Sequence, residues 1–157
     1  MPHDIASPIL ITGGTGFIGS YLAMRLLEKK GNENEQVLLF DCNPDMRRLT
    51  GFNKGPGDPK DPKYDPTKDR YNKVKERITF VQGDLSSLEL VLALFEHEPK
   101  SVFHLGALLS AGADANPTFG FQVDTLGTRN VLEAARIYCQ RKNMDPVKVI
   151  FPSTIAS

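Results

Sequence analysis

A chain of 157 residues can bury one ordinary hydrophobic core, and its make-up, 40% hydrophobic and 24% charged, is that of a soluble globular protein. Its 19 basic and 19 acidic side chains cancel, so no global field recruits nucleic acid or an anionic membrane. Cys42 and Cys139 are too few for a disulfide framework or metal cluster, no apolar run nears the roughly 20 residues of a membrane helix, and residues 1–8 lack the pattern of a secretory signal; the expected compartment is the reducing cytoplasm.

Apolar runs and helical periods alternate along the chain. Ile9-Leu10-Ile11 is a short β-rich run that ends in a glycine cluster. Residues 17–30 then carry Ile18, Leu22, Leu26 and Leu27 at helical spacing, with Lys29 and Lys30 suited to the negative helix end and Gly31-Asn32 as the stop. Val37-Leu38-Leu39-Phe40 reads as a second strand ending at Asp41, and Ile78-Thr79-Phe80-Val81 as a third ending at Gly83-Asp84. Residues 87–96 predict a helix with Leu88, Val91, Leu92 and Phe95 on one face. A fourth strand is expected over 101–105, a long helix within 117–142 with Val123, Val131, Ala135 and Tyr138 in its stripe, and a fifth strand over 148–151.

Continuously apolar strands separated by amphipathic helices imply a parallel sheet covered on both faces. Right-handed crossovers make this an α/β, doubly wound layer, most simply in strand order 3-2-1-4-5, with the sequence stopping soon after the fifth strand. Residues 51–77 break the pattern. Thirteen of these 27 residues are charged and four are Pro, with Asp-Pro at Asp58, Asp61 and Asp65. Such a stretch cannot bury enough apolar area to offset its ordering entropy, so a solvated surface insertion is expected between strands two and three.

The loop after the first strand carries Gly13, Gly16 and Gly19 at three-residue spacing and opens a helix. Phosphate binding needs that arrangement: a tight turn at Gly13, no Cβ at Gly16 where a pyrophosphate approaches, and close helix packing at Gly19. The N–H groups of Phe17 and Ile18 at the helix start would face the anion. Asp41 follows 22 residues after Gly19. A carboxylate there accepts both hydroxyls of an adenosine ribose and repels a 2′-phosphate, which predicts NAD over NADP. The same Asp could instead open a turn in Asp41-Cys42-Asn43-Pro44, and Arg47 and Arg48 keep NADP as the lesser alternative.

These motifs combine with Gly83-Asp84-Leu85, His104-Leu105-Gly106-Ala107, Asp124-Thr125-Leu126-Gly127-Thr128 and Pro152-Ser153-Thr154. Taken together, over residues 8–157 apart from the insertion, the chain resembles the NAD-dependent epimerase/dehydratase family, extended short-chain dehydrogenases/reductases with a Rossmann domain at their N-terminus. The resemblance implies that residues 1–157 form an incomplete NAD(P)-binding domain with a polar insertion at about 51–77. It implies that Asp84 bonds the adenine amino group beside the Leu85 backbone, although the residues alone read Asp84 as a turn or helix-entry position. It implies that Leu105, Gly106 and Ala107 pass close to the cofactor, Gly106 standing where the family usually carries Ala. It counts Asp124 among the cofactor-site residues, where the family usually has an Asn that supports a structural water or a backbone carbonyl near the active site; when ionised, Asp accepts hydrogen bonds without donating any. Thr154 matches the Ser/Thr that holds the substrate oxygen. His104 reads as a packed, hydrogen-bonded strand-end residue and not as a catalytic base.

The expected activity is hydride transfer between a secondary alcohol carbon and nicotinamide, on a nucleotide sugar or a small hydroxy or amino acid, with a homodimer implied for the full-length form. The family's acid/base Tyr and its Lys would follow Ser157, so residues 1–157 are expected to be inactive alone. The alternative is a non-enzymatic dinucleotide sensor, which would keep the glycine loop and lack that pair. For the insertion, limited proteolysis should cut first after Lys and Arg residues of 51–77 while the flanking strands stay associated; protection there without a partner would overturn the solvated-loop reading.

Overall fold

The computed structural model describes residues 7–50 and 70–152. Five parallel strands form one sheet: β1 (Ile9–Thr12), β2 (Val37–Asp41), β3 (Ile78–Gln82), β4 (Ser101–His104) and β5 (Lys148–Ile150), in spatial order β3-β2-β1-β4-β5. This is the order read from the alternation of elements, and the arrangement is a Rossmann sheet. Six helices connect it among the described residues: α1 (Phe17–Glu28), α2 (Arg47–Thr50), α3 (Leu88–Phe95), α4 (Ser110–Ala115), α5 (Pro117–Gly120) and α6 (Gly127–Lys142).

Strand periodicity divides the core. Leu10, Leu38 and Phe40 point to one face and pack with Val91, Leu94 and Phe95 of α3 and Val131, Ala134 and Ala135 of α6. Their neighbours Ile9, Ile11, Val37 and Leu39 point to the other face, against Ala23, Met24 and Leu27 of α1 and Leu49 of α2. Every position of β1 is therefore buried, which is why these central strands read as unbroken apolar runs. The expectation of burial on both faces fails at the edges: β3 is only half-buried, and Lys148 and Ile150 of β5 are exposed. Among the described residues each edge strand has a neighbour on one side only, so fewer side chains reach across it.

Local chemistry sets the helix ends. The Ser87 hydroxyl accepts the Leu90 N–H at 3.3 Å and caps α3. Asn116 accepts the Phe119 N–H, and Pro117 supplies the pre-set first residue of α5. Asn143 takes the left-handed conformation that closes α6. The long helix expected within 117–142 is α6, and Val123 of the expected stripe falls just before it. Between α5 and α6 the residues Phe121–Leu126 form a π-helical stretch, with the Gly127 N–H reaching back five residues to the Gln122 carbonyl. The Thr128 hydroxyl donates to the Asp124 carbonyl at 2.6 Å and competes there for the usual helical bond.

The polar insertion also ends earlier than its composition implies. Residues 51–69 lie outside the described residues, but residues 70–77 are docked onto the α1–β2 side. Val74 is buried with Leu49 and Met24, and Arg70 pairs with Glu28. Arg77 donates to the carbonyls of Leu27 and Asn32, each at 2.8 Å, and of Glu35 at 3.3 Å. Charge count missed this because a guanidinium that satisfies several backbone carbonyls is a structural clamp, not a solvated charge. Arg77→Ala should lower unfolding free energy by about 2 kcal/mol, measured by denaturant titration, because those carbonyls lose a charged donor. A change below a few tenths would show that water replaces the guanidinium at no cost.

Candidate functional site

The carboxyl ends of β1, β2 and β4 open into one cleft of about 540 Å³. It lies where the chain order reverses between β1 and β4, the crevice in which open α/β sheets take ligands. Gly13, Gly16, Phe17, Ile18 and Gly19 line it from below, Asp41, Asp84 and Leu85 from one side, and Leu105, Gly106 and Ala107 from the other.

The glycine loop is shaped by contact distances. Gly13 sits at φ +66°, and a Cβ there would lie 2.7 Å from the Gly106 nitrogen and 2.8 Å from the Leu105 oxygen. A Cβ on Gly19 would stand 2.2 Å from the Gly13 oxygen, so this glycine packs the helix onto the loop rather than onto the sheet. At Gly16 the nearest atom to such a Cβ is the Gly13 oxygen at 3.1 Å, leaving its other side toward the cleft. Gly16 caps α1 without a side-chain bond, so the first-turn N–H groups stay available to an anion. Phe17 and Ile18 stand exposed at the rim.

Asp41 is held in place at the end of β2. One carboxylate oxygen accepts the Thr15 N–H at 3.1 Å, the other the Asn43 N–H at 3.0 Å. The turn reading of Asp41 and its cleft position therefore hold together: the Asn43 bond orients the same carboxylate that faces the cleft. Asp84 accepts the Ser86 N–H at 2.8 Å as it leads into α3, and it also lines the cleft. Gly106 has a local reason, since a methyl there would lie 2.5 Å from Cδ1 of Leu85. In this chain Leu85 occupies the space that the family's usual Ala would need.

Asp124 is not part of the cleft lining. Its carboxylate accepts the Leu108 N–H at 2.6 Å and so ties the loop after β4 to the π-helical stretch. The family's Asn would fill the same acceptor role, so the loss of a donor costs nothing at this contact. His104 is 4% exposed and spans two hydroxyls, Thr12 at 2.7 Å from Nδ1 and Thr128 at 3.0 Å from Nε2. Thr12 in turn accepts the Gly106 N–H at 3.1 Å. Thr154 lies outside the described residues.

The cleft holds residues that sequence reasoning missed. Phe40 and Cys42 flank Asp41, and Leu108 and Leu109 directly follow Ala107, whereas Phe119 and Val123 come from a segment that only folding brings near. Desolvation, and then the neighbouring Asp41 carboxylate, push the Cys42 thiol up from its ordinary pKa, which keeps it protonated and poorly nucleophilic. Arg48 also lines the cleft, while Arg47 is committed to Asp45 through its Nε at 2.8 Å. A larger groove of about 620 Å³ lies between α6 and β5, but it offers neither a carboxylate nor a helix start. Among the described residues no group of His, Cys, Asp or Glu could hold a metal ion, and no helix is long and apolar enough to cross a membrane.

Sheet order, glycine turn and strand-end carboxylate together define a dinucleotide-binding Rossmann domain. The chain belongs to the family described as GDP-mannose 4,6 dehydratase, of the NAD-dependent epimerase/dehydratase type, whose profile matches residues 10–156. Among curated relatives, D-erythronate dehydrogenase of Haemophilus influenzae is 29% identical over 94% of this chain and 38% of its own length. A putative UDP-glucose 4-epimerase of Methanocaldococcus jannaschii is 28% identical over 93% and 37%. The solved L-threonine dehydrogenase of Clostridium difficile superposes with a TM-score of 0.61 at 26% identity, covering 96% of this chain and 37% of that one. The chain thus spans under two fifths of the length of these relatives. In sequence and fold it is a dinucleotide-binding Rossmann domain of that family.

Gly19→Ala should destabilise the domain by about 1–3 kcal/mol through overpacking against the Gly13 carbonyl, and should abolish dinucleotide binding. Thermal unfolding and calorimetric titration check both. A variant that binds normally would show that the loop can shift without loss.

Proposed function

We propose that this chain is the cofactor-binding part of an NAD-preferring enzyme that moves a hydride between a secondary alcohol carbon and nicotinamide. The observation that carries the reading is the Asp41 carboxylate, held by two backbone N–H groups at the rim of the cleft that the glycine loop opens. Each carboxylate oxygen keeps a lone pair for a ribose hydroxyl, and its charge disfavours a 2′-phosphate.

In this reading the N–H groups of Phe17 and Ile18 take the pyrophosphate, and the space beside Gly16 admits it. Asp84 and the Leu85 backbone meet the adenine. Leu105, Gly106 and Ala107 run along the nicotinamide half, and Asp124 holds that loop by its bond to Leu108. The bound dinucleotide supplies the hydride acceptor and donor. Thr154 orients the substrate oxygen, and the acid/base work belongs to the Tyr–Lys pair of the complete protein, the Lys lowering the Tyr pKa by its charge. Residues 1–157 alone then bind dinucleotide weakly and turn nothing over. Small hydroxy or amino acids and nucleotide sugars are the substrate classes, in keeping with the names of the relatives. The same reading places the complete protein in the cytoplasm as a homodimer. Enzyme names on those relatives weigh against a non-enzymatic sensor. Arg48 in the cleft lining favours NADP as a second reading.

Titrating NAD and NADP against the complete protein separates these. NAD should bind more tightly, and Asp41→Ala should narrow the preference about ten-fold, on the order of 1–2 kcal/mol. Tighter NADP binding by the unmutated protein would overturn the NAD reading in favour of Arg48. Following reduced cofactor by absorbance with sugar acids, threonine and nucleotide sugars tests the activity, and turnover by residues 1–157 at the complete protein's rate would place the acid/base group within them.

A further inference from the structure

Hydrogen-bond bookkeeping fixes the protonation of His104. Thr128 has one hydroxyl proton, and it goes to the Asp124 carbonyl at 2.6 Å. Toward His104 Nε2, at 3.0 Å, the Thr128 oxygen can then only accept, so Nε2 carries hydrogen. In a neutral ring Nδ1 is bare and accepts the Thr12 hydroxyl at 2.7 Å. That leaves the Thr12 oxygen free to accept the Gly106 N–H at 3.1 Å. Every donor in the chain meets one acceptor, and the chain runs from the long helix through β4 to β1 and ends on the backbone that lines the cleft.

We propose that His104, held as the neutral Nε2–H tautomer between Thr12 and Thr128, is a positioning residue that sets the Leu105–Leu108 backbone and with it the affinity of the cleft for dinucleotide. This rests on the dinucleotide reading of the cleft. A proton on Nδ1 would face the Thr12 hydroxyl proton, and Thr12 is fully buried, so that hydroxyl has no water to turn toward. Gly106 would lose its present geometry, and with it the backbone between Gly13 and Leu108, whose far end is pinned by Asp124.

Charge and burial around the ring set the direction of its pH response. Burial pushes its pKa below the ordinary 6.5, and Asp124 in the π-helical stretch, the charged group acting on it, offsets this in part. Thr12 of β1, the Gly106 N–H and Thr128 bring no charge. The folded state therefore resists the proton that the unfolded chain accepts. Stability from the neutral ring is complete above about 6.5 and is lost as pH falls through the lower, folded pKa. Dinucleotide affinity should fall over the same lower range, once the folded ring itself takes a proton.

The test uses the complete protein with ¹⁵N-labelled histidine. Its imidazole shifts should report Nε2–H with bare Nδ1 at neutral pH, and a midpoint below 6.5. NAD titrations should weaken by up to about ten-fold as that midpoint is crossed, the worth of one lost hydrogen bond. His104→Asn keeps an acceptor for Thr12 with no titrating proton, so it should bind within a few-fold of the unmutated protein at pH about 8 and lose the pH dependence. His104→Leu should bind more weakly at every pH. A charged ring or an Nδ1–H tautomer at neutral pH would overturn the proposal even if the leucine variant failed to fold. So would a pH profile unchanged in His104→Asn. Failure of the unmutated protein to bind either dinucleotide would overturn the reading of the cleft, and this inference with it.

Discussion

Everything at the carboxyl end of the sheet depends on how closely the turn after β1 passes the end of β4. Gly13 turns with a positive φ in a gap that a single methyl would close against Gly106 and Leu105. The Leu105 N–H donates to the Thr12 carbonyl at 3.1 Å, and the Gly106 N–H to the Thr12 hydroxyl. Two strands adjacent in space but distant in sequence are thus locked at the point where the cleft opens. Because the turn is that tight, α1 starts directly beneath the cleft and brings its first-turn N–H groups to it.

The second wall is built by backbone bonds that converge on Asp41. Gly14 donates to the Phe40 carbonyl, Thr15 to the Asp41 carboxylate, and Gly83 to the Asp41 carbonyl. The end of β2 therefore joins the glycine loop to the loop after β3. A carboxylate placed this way is pre-organised for a neutral diol, since the N–H groups that orient it would otherwise have to be found when ligand binds. Leu85 then completes the wall by filling the space that Gly106 leaves open.

Below the cleft the two cores divide the work. On the face of the sheet covered by α3 and α6 the apolar core gives way, at the ends of β1 and β4 only, to the polar chain of Thr12, His104 and Thr128. The π-helical stretch sits at that change of level and turns Asp124 and Thr128 toward β4 and its loop. On the opposite face α1, α2 and the docked residues 70–77 close over β2, with Arg77 bonding carbonyls at the end of α1 and in the turn that leads to β2.

The sequence by itself determined the alternation of elements, the strand order and the cleft's main residues. Gly13, Gly16, Gly19 and Asp41 were legible because each answers a local demand, a turn, a helix start or a strand end, whereas Asp84, Leu85 and Leu105–Ala107 came with the family resemblance. Local pattern also placed the core, since unbroken apolar runs such as Val37–Phe40 arise only when alternate residues both have cover. What tertiary structure decided were the partners of polar groups. Nothing near His104 in the chain names Thr12 or Thr128 as its neighbours, and nothing near Arg77 names the Leu27 carbonyl. The π-helical stretch was hidden for the same reason, because Asp124 gains its role from Leu108 across a gap in the chain. Apolar periodicity repeats every few residues and can be read along the sequence. A hydrogen bond between distant residues leaves no period, and its donor and acceptor are matched only when the sheet brings them within about 3 Å.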